Sequence, residues 1–452
     1  MGTLQCVSTF QRLLLQFLPC FTAPTGNSFL AVGAAWTLAV GPRTVTNLVR
    51  TLGTGGIKSH DAYQYFFSGA VWLMDDAWEI LFRLILASGL IPAGAVIELA
   101  GDDTLVHHSG RHIFGAGIFR DAVRSTRKTV AYAAGHNWVI LCLVVCVPFC
   151  PKIFVSLPIC ARLRPKPAHG KTKRKGRKSN SGPTTVDLLA DMMALVVSWA
   201  PQRRFHLLAD GAYASLAGRL PRTMTFTSRL RKDAALYGPP PTRRSGKVGR
   251  PKTKGIRLPT PAARAKAPKL SWRRMTVLLY GQPVNVQLHA YQAYWYEVCP
   301  YAPILIVIVR DPSGGKEDEF FFTTDLSLTP AAVVGGYSHR WSQEVLHREA
   351  KQQMGIDDPQ ARLQSAVERQ APVCLMLISL VKLWYFTVGH RDGIRAQVRD
   401  PWYAHKNGIP FTDMVAALRW SSWNLWISRG LGPQPRHRKI LAPLLRALAR
   451  AS

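Results

Sequence analysis

The chain is short of acid. Of its 452 residues only 26 are Asp or Glu, against 58 Lys or Arg, which leaves a formal charge of +32 at pH 7. Such a surplus argues against a cationic partner and makes a polyanion the leading one, with a membrane surface second. Paired cysteines are also missing. The eight Cys, at 6, 20, 142, 146, 150, 160, 299 and 374, form no Cys-x2-Cys pair, and no His stands at zinc-ligand spacing from a Cys pair, so a zinc site of that kind is excluded. Three of them, Cys142, Cys146 and Cys150, lie in an apolar run and read as buried, reduced thiols of a cytosolic protein. An unbroken membrane-length apolar run is lacking too. The best candidate, residues 138–160, contains Pro148, Pro151, Pro158 and Lys152. It reads as two buried strands split by a turn around Pro148–Pro151 rather than as a span. The first 25 residues carry a short apolar piece preceded only by Arg12 and do not make a secretory signal.

What is present is globular. Hydrophobic residues make up 47% of the chain, enough for a sizeable core and two or three structural units. Residues 28–41 read as a helix, Gly41-Pro42-Arg43 as a turn, and Thr44 as the cap of a second helix ending near Arg50. This pattern suits a helix-turn-helix DNA reader or an ordinary helical hairpin. A longer amphipathic helix is expected over Phe66–Ala87. The texture then changes to strands. Ala95–Ala100 runs into Gly101-Asp102-Asp103-Thr104, the Gly-punctuated stretch after it suits a hairpin, and the two apolar strands of 138–160 follow. After a helix over Val186–Ala200, Arg204–Ala209 is a second apolar strand ending in an Asp, Asp210. The carboxyl end of a strand in an α/β sheet is where sites are built.

Two stretches hold no acid. Residues 161–182 contain nine Lys or Arg and residues 239–274 contain twelve. Both read as loops, solvated or laid on phosphates. The second includes Gly249-Arg250-Pro251-Lys252, which resembles the core of a minor-groove AT-hook, a compositional match only. Strand signals dominate 275–325. Thr329-Pro330 then opens a helical segment, and a strongly apolar helix over Gln360–Phe386 reads as core.

The segment 337–351, YSHRWSQEVLHREAK, carries Tyr337, Arg340, Glu344 and Lys351 at spacings of three, four and seven. On one helix these fall within roughly 60° of one another. Such a face is either a solvated one with an i,i+4 Arg340–Glu344 pair or one that holds a phosphate near a metal. Were Gly335-Gly336 to break the helix and Ser342 to recap it, only Glu344 and Lys351 would share the face. Three acids then stand out, Asp102 (or Asp103), Asp210 and Glu344, two at strand ends and one on a helix. Brought together, they would raise one another's pKa or bind a cation. Hard oxygen ligands suit Mg2+ or Mn2+, and two such ions can drive phosphodiester chemistry.

The run Tyr337-x2-Arg340-x3-Glu344-x6-Lys351 matches in residues and spacing the signature of a group of bacterial insertion-sequence DDE transposases. LLADGAYAS, with Asp210, resembles that group's second-Asp motif, and AGDDTL, with Asp102, its first. The 134 residues between Asp210 and Glu344 leave room for the β-rich insertion such enzymes carry. The resemblance covers roughly 95–390. It implies an α/β, RNase H-like mixed sheet flanked by helices, with a small N-terminal helical unit. It also implies a catalytic triad of Asp102, Asp210 and Glu344 binding two Mg2+, for which Mn2+ would substitute. Arg340 and Lys351 would hold DNA phosphates, Tyr337 would support terminal nucleotides, and Trp295 and Trp341 are candidates to stack on a flipped base. The partners implied are double-stranded DNA, as element ends and target, and a second copy of the chain in a synaptic complex, without a membrane, in a bacterial cytoplasm. The expected organisation is a helical unit over 1–92, a candidate for DNA-end binding; catalytic halves over 93–230 and 326–395; a basic linker and β-rich insertion over 231–325; and a helical, basic C-terminal region over 396–452. One departure is visible. Where members of the group carry Lys-Lys-Gly or Lys-x-Gly, this chain reads His107-His108-Ser109-Gly110-Arg111. Readings of other classes are a non-catalytic DNA-binding remnant and a nuclease on the same fold without strand transfer.

The charge balance makes a direct prediction. Affinity for a duplex of arbitrary sequence should fall steeply with salt, by about 10³–10⁵-fold between 50 and 200 mM if some 6–10 phosphates are neutralised. Fluorescence anisotropy against salt measures the slope, and a flat response would remove the polyanion reading.

Overall fold

The computed structural model describes residues 6–53, 58–110, 112–126, 128–164, 182–241, 253–391, 409–431 and 435–451. Most of the basic loop 161–182, the Gly249–Lys252 motif and Arg111 lie outside them. The central strand is β1 (Ile97–His107). On one side it pairs antiparallel with β3 (Tyr132–Val147), which pairs antiparallel with β4 (Cys150–Leu163). A short β2 (Gly117–Arg120) joins the start of β3. On its other side β1 pairs parallel with β5 (Phe205–Ala209), and β5 parallel with β6 (Met224–Arg229). The order β4-β3-β1-β5-β6, three antiparallel strands followed by two parallel ones, is that of an RNase H-like sheet.

The apolar run 138–160 is the β3–β4 hairpin, turning at Pro148-Phe149. Trp138 to Val145 are buried without alternation, as expected of strands covered on both faces. One cover is the helix α6 (Thr185–Trp199), opened by a capping box in which Thr184 and Asp187 satisfy each other's backbone N–H groups. Gly101 lets α6 close on the sheet, because a Cβ there would stand 2.6 Å from Leu189.

The same sheet continues into the β-rich insertion. The strands β7 (Arg273–Leu279), β8 (Gln282–Trp295), β9 (Cys299–Arg310) and β10 (Glu319–Thr323) form an antiparallel run joined to β6 through β10. The helix α8 (Pro330–Ser338) covers it, making a second core from Val277, Val286, Leu288, Val307, Phe321, Val333 and Val334. Thr329 caps α8, accepting from Ala332 N–H. The helix passes through Gly335-Gly336, and the chain leaves it only at His339-Arg340 before α9 (Trp341–Gln352). The expected break at the glycines is therefore displaced: Tyr337 lies within α8 and Arg340 at the junction.

The helix expected over Phe66–Ala87 is two helices, His60–Ser68 and Met74–Ala87. Gly69 and Ala70 both donate to Tyr65 O, and the Trp72 ring folds back on Phe66 at 5.1 Å, its indole N–H donating to Phe66 O. That stacking turns the chain out of the helix. Thr44 caps the helix Val45–Leu52 by accepting from Asn47 N–H. The N-terminal helices share their core with α10 (Gln364–Trp384), where Phe10 meets Trp384 edge to face, and they reach the chain just past α9, where Trp36 donates to Met354 O. Among the described residues Gln364–Gly389 alone is long and apolar enough to cross a membrane, and 89% of its apolar window is buried inside the protein.

Lys382 of α10 fixes α9 from behind. Its ammonium pairs with Glu349 at 2.7 Å and donates to Ser156 O on β4, with its side chain 2% exposed. Removing one partner of a buried pair leaves the other charge uncompensated. Lys382→Ala should cost about 3–5 kcal/mol in urea unfolding, and adding Glu349→Leu should recover part of it. A single mutant as stable as wild type would show that the pair contributes nothing to holding α9.

Candidate active site

The register of β1 and β5 sets the first two acids. Gly101 lies opposite Ala209 across a parallel pair, so Asp102 and Asp210, each one residue further on, leave neighbouring strands at the same level. Alternation along β1 separates Asp102 from Asp103. Gly101 faces α6, as Leu189 shows. Asp103 accepts a hydrogen bond from the buried Tyr213 hydroxyl at 2.8 Å, whereas Asp102 meets α9 through Arg340.

Glu344 sits in the first turn of α9, and Gln343 beside it donates to Ile140 O of β3 at 2.8 Å. This seats the helix on the sheet. Asp102, Asp210, Glu344, Tyr337, Arg340 and Lys351 all line one cleft of about 1000 Å³, together with Arg120, Arg124, Arg229 and Arg348. The three acids do not converge on one point. Among the described residues no group of three His, Cys, Asp or Glu side chains stands close enough to hold a metal ion.

Arg340 stands between two of them. One terminal nitrogen donates to Asp102 Oδ2 at 3.0 Å and the other to Glu344 Oε1 at 2.6 Å. The i,i+4 pair visible in the sequence is thus present, with a third member from β1 that spacing could not show. Burial pushes Asp102 up to about 7 against the pull of Arg340, with Asp103 and Asp210 adding to the push. Burial opposes the charge on Arg340, but Tyr337, Asp102 and Glu344 outweigh it and raise its pKa.

The remaining residues are placed by packing. The Tyr337 ring lies in the insertion's core, 4.9 Å from Phe321 and 6% exposed, and its hydroxyl has no well-aligned hydrogen-bond partner among the described residues. Lys351 donates to Leu105 O at 2.6 Å, tying the end of α9 to β1. His107 bonds to the buried Asp121 at 3.0 Å, so the stretch that departs from the Lys-x-Gly pattern holds a loop as well as lining the cleft. Trp295 is 3% exposed against Phe322 and is closed to any ligand. Trp341 is 51% exposed at the cleft mouth, edge to face with Tyr280.

Two features were missed in the sequence. Tyr280 occupies the two-residue β7–β8 turn with φ of 51°, the sole non-glycine residue at positive φ among those described. Tyr280-Gly281 was a readable hairpin signal, but its reach to the cleft was not. His347, one turn beyond Glu344, is pushed down to about 3 by burial and by Lys351 and Arg340, and is neutral. Its spacing from Glu344 was the available clue.

With this geometry in hand, the comparison with known families is decisive on one point. The model of the DDE superfamily endonucleases matches residues 16–283. The chain belongs to the DDE superfamily endonuclease family. No curated protein matches it. Membership makes this endonuclease a nuclease-type enzyme with DNA as substrate, in a family that uses divalent metal ions. The match takes in Asp102 and Asp210 and ends before α8 and α9, so Glu344 and its neighbours are placed by the fold.

The Tyr213–Asp103 bond is a testable support of this endonuclease's site. Tyr213→Phe leaves Asp103 without its partner and should cost about 1–3 kcal/mol in thermal or urea unfolding. A neutral result would mean that water replaces the hydroxyl and that Asp103 is not held.

Proposed function

We propose that this endonuclease is an insertion-sequence DDE transposase, one that cleaves DNA at element ends and joins the freed 3′-hydroxyl to a target. The observation that carries the reading is the single cleft lined by Asp102 of β1, Asp210 just past β5 and Glu344 of α9, inside a basic rim. The Tyr-Arg-Glu-Lys spacing around Glu344 supports the transposase form over a nuclease that only cuts.

The donor set suits a hard divalent ion by its chemistry, while the three acids stand apart as folded, with Arg340 between two of them. Three carboxylates border the cleft, and Asp102 is held protonatable near neutrality by burial beside other acids, the condition that a cation relieves. Asp102, Asp210 and Glu344 would hold two Mg2+, with Mn2+ as substitute, and the ions would supply an activated water or 3′-hydroxyl and stabilise the leaving oxygen. The chain's own groups do the rest. Lys351 and Arg348 offer charge to strand phosphates at one end of α9, and Tyr337, packed in the insertion's core at the cleft wall, would support the strand terminus from behind. Trp341, exposed beside Tyr280, offers a face for an unpaired base, a part closed to Trp295 by burial. Arg50 and Thr46, on the exposed side of the helix Val45–Leu52, are offered to DNA ends. The active assembly is a dimer on paired ends, in a bacterial cytoplasm.

The test is cleavage of labelled DNA carrying the element's flanking sequence, with Mg2+ or EDTA. Metal-dependent cuts at the ends followed by joined products are expected, with Glu344→Gln slower by about 10²–10³-fold while binding survives. Free ends that are never joined would make the protein a nuclease, and binding without cuts in either metal would make it a non-catalytic DNA-binding protein.

A further inference from the structure

Both oxygens of Asp102 are engaged by N–H donors. Its Oδ2 accepts from Arg340 and its Oδ1 accepts from Asp103 N–H at 2.9 Å. Glu344 Oε1 is engaged by the other nitrogen of the same guanidinium. A carboxylate oxygen can ligate a metal and still accept an N–H, but the guanidinium fills the space between Asp102 Oδ2 and Glu344 Oε1, and a second cation brought there would be repelled by its charge. The position Arg340 holds between β1 and α9 is the position a cation bridging these acids would need.

The hold on Arg340 is also partial. Among the described residues its Nε is buried without a well-aligned hydrogen-bond partner, and beyond the two acids the guanidinium meets Tyr337, through its hydroxyl and through the ring, 5.7 Å from the guanidinium carbon. The residue caps α9 from the α8–α9 junction, so its side chain can turn without moving the helix that carries Glu344. It opens on a cleft already rimmed by Arg348 and Lys351, where a guanidinium meets phosphate with two parallel hydrogen bonds.

Building on the reading of Asp102 and Glu344 as metal ligands, we infer that Arg340 and a divalent cation compete for these two carboxylates, and that the metal, on displacing the guanidinium, releases it to a DNA phosphate. The site then carries a resident cation before metal arrives, and metal and DNA binding become mutually reinforcing. Linkage requires the reinforcement to be equal in both directions.

The test is Mn2+ binding to the DNA-free full-length protein, followed through the free-ion electron paramagnetic resonance signal. Wild type, Arg340→Gln, Arg340→Lys and Asp102→Asn are compared, with thermal melts to establish folding. Arg340→Gln should bind Mn2+ about 10-fold more tightly than wild type, with Arg340→Lys between them. In wild type, Ca2+ should strengthen binding to a short duplex by a similar factor, and Arg340→Gln should lose that gain. A folded Arg340→Gln that binds Mn2+ no better than wild type overturns the exchange and leaves Arg340 a fixed positioning group. Should that variant not fold, the wild-type measurement decides, and absence of Ca2+-dependent strengthening overturns it. Asp102→Asn keeps the two readings apart: wild-type Mn2+ affinity in that variant would sink the metal assignment itself, and the exchange with it.

Discussion

Carboxylates gathered in a partly buried cleft need a cation, and here that cation is Arg340. Its two hydrogen bonds join a strand of the RNase H-like sheet to the helix that carries Glu344. The acidic cluster costs the fold stability wherever its members are desolvated, and the guanidinium offsets part of that cost. The packing around α9 keeps the arrangement in place. Gln343 is bonded to β3, Lys351 to β1, and Glu349 to Lys382 of α10. A helix pinned on three sides can present one charged face to a cleft without collapsing onto it.

The insertion is part of this arrangement rather than an appendage. Its strands extend the central sheet through β10, and its apolar face, covered by α8, fixes the Tyr337 ring. Its β7–β8 turn brings Tyr280 against Trp341 at the mouth of the cleft. Tyr280 adopts positive φ there, a conformation costing a β-carbon-bearing residue about 1–2 kcal/mol, which the packing of the tip must offset. The segment between Asp210 and Glu344 therefore shapes the mouth of the cleft proposed to take DNA.

Much of this was legible from residue order. Apolar strands leading to Asp102 and Asp210 announced a sheet, although β1 runs on past Asp102 to His107 and only Asp210 stands at a strand end, and the proline-broken run 138–160 announced a hairpin rather than a membrane span. The spacing of Tyr337, Arg340, Glu344 and Lys351 suggested one charged helix face, of which only Glu344 and Lys351 lie within α9. What stayed hidden depends on partners distant in sequence. No local pattern shows that Arg340 reaches Asp102 across 238 positions, that Trp295 is buried by Phe322, or that Trp72 folds back to end a helix early. The break weighed at Gly335-Gly336 does separate Tyr337 and Arg340 from the helix of Glu344, but it falls at His339-Arg340, because covering the insertion's apolar face favours a continuous α8 more strongly than two glycines disfavour it.

The central proposal is that Asp102, Asp210 and Glu344, which line one cleft, hold the divalent metal. Its most direct measurement is affinity cleavage of the polypeptide itself. Fe2+ would be bound in place of Mg2+, ascorbate and peroxide added, and the backbone cuts mapped by mass spectrometry. The account predicts cuts clustered near residues 102, 210 and 344, suppressed by excess Mg2+ and lost in Asp102→Asn. Cuts scattered over the surface histidines, unaffected by Mg2+ and by that substitution, would contradict it.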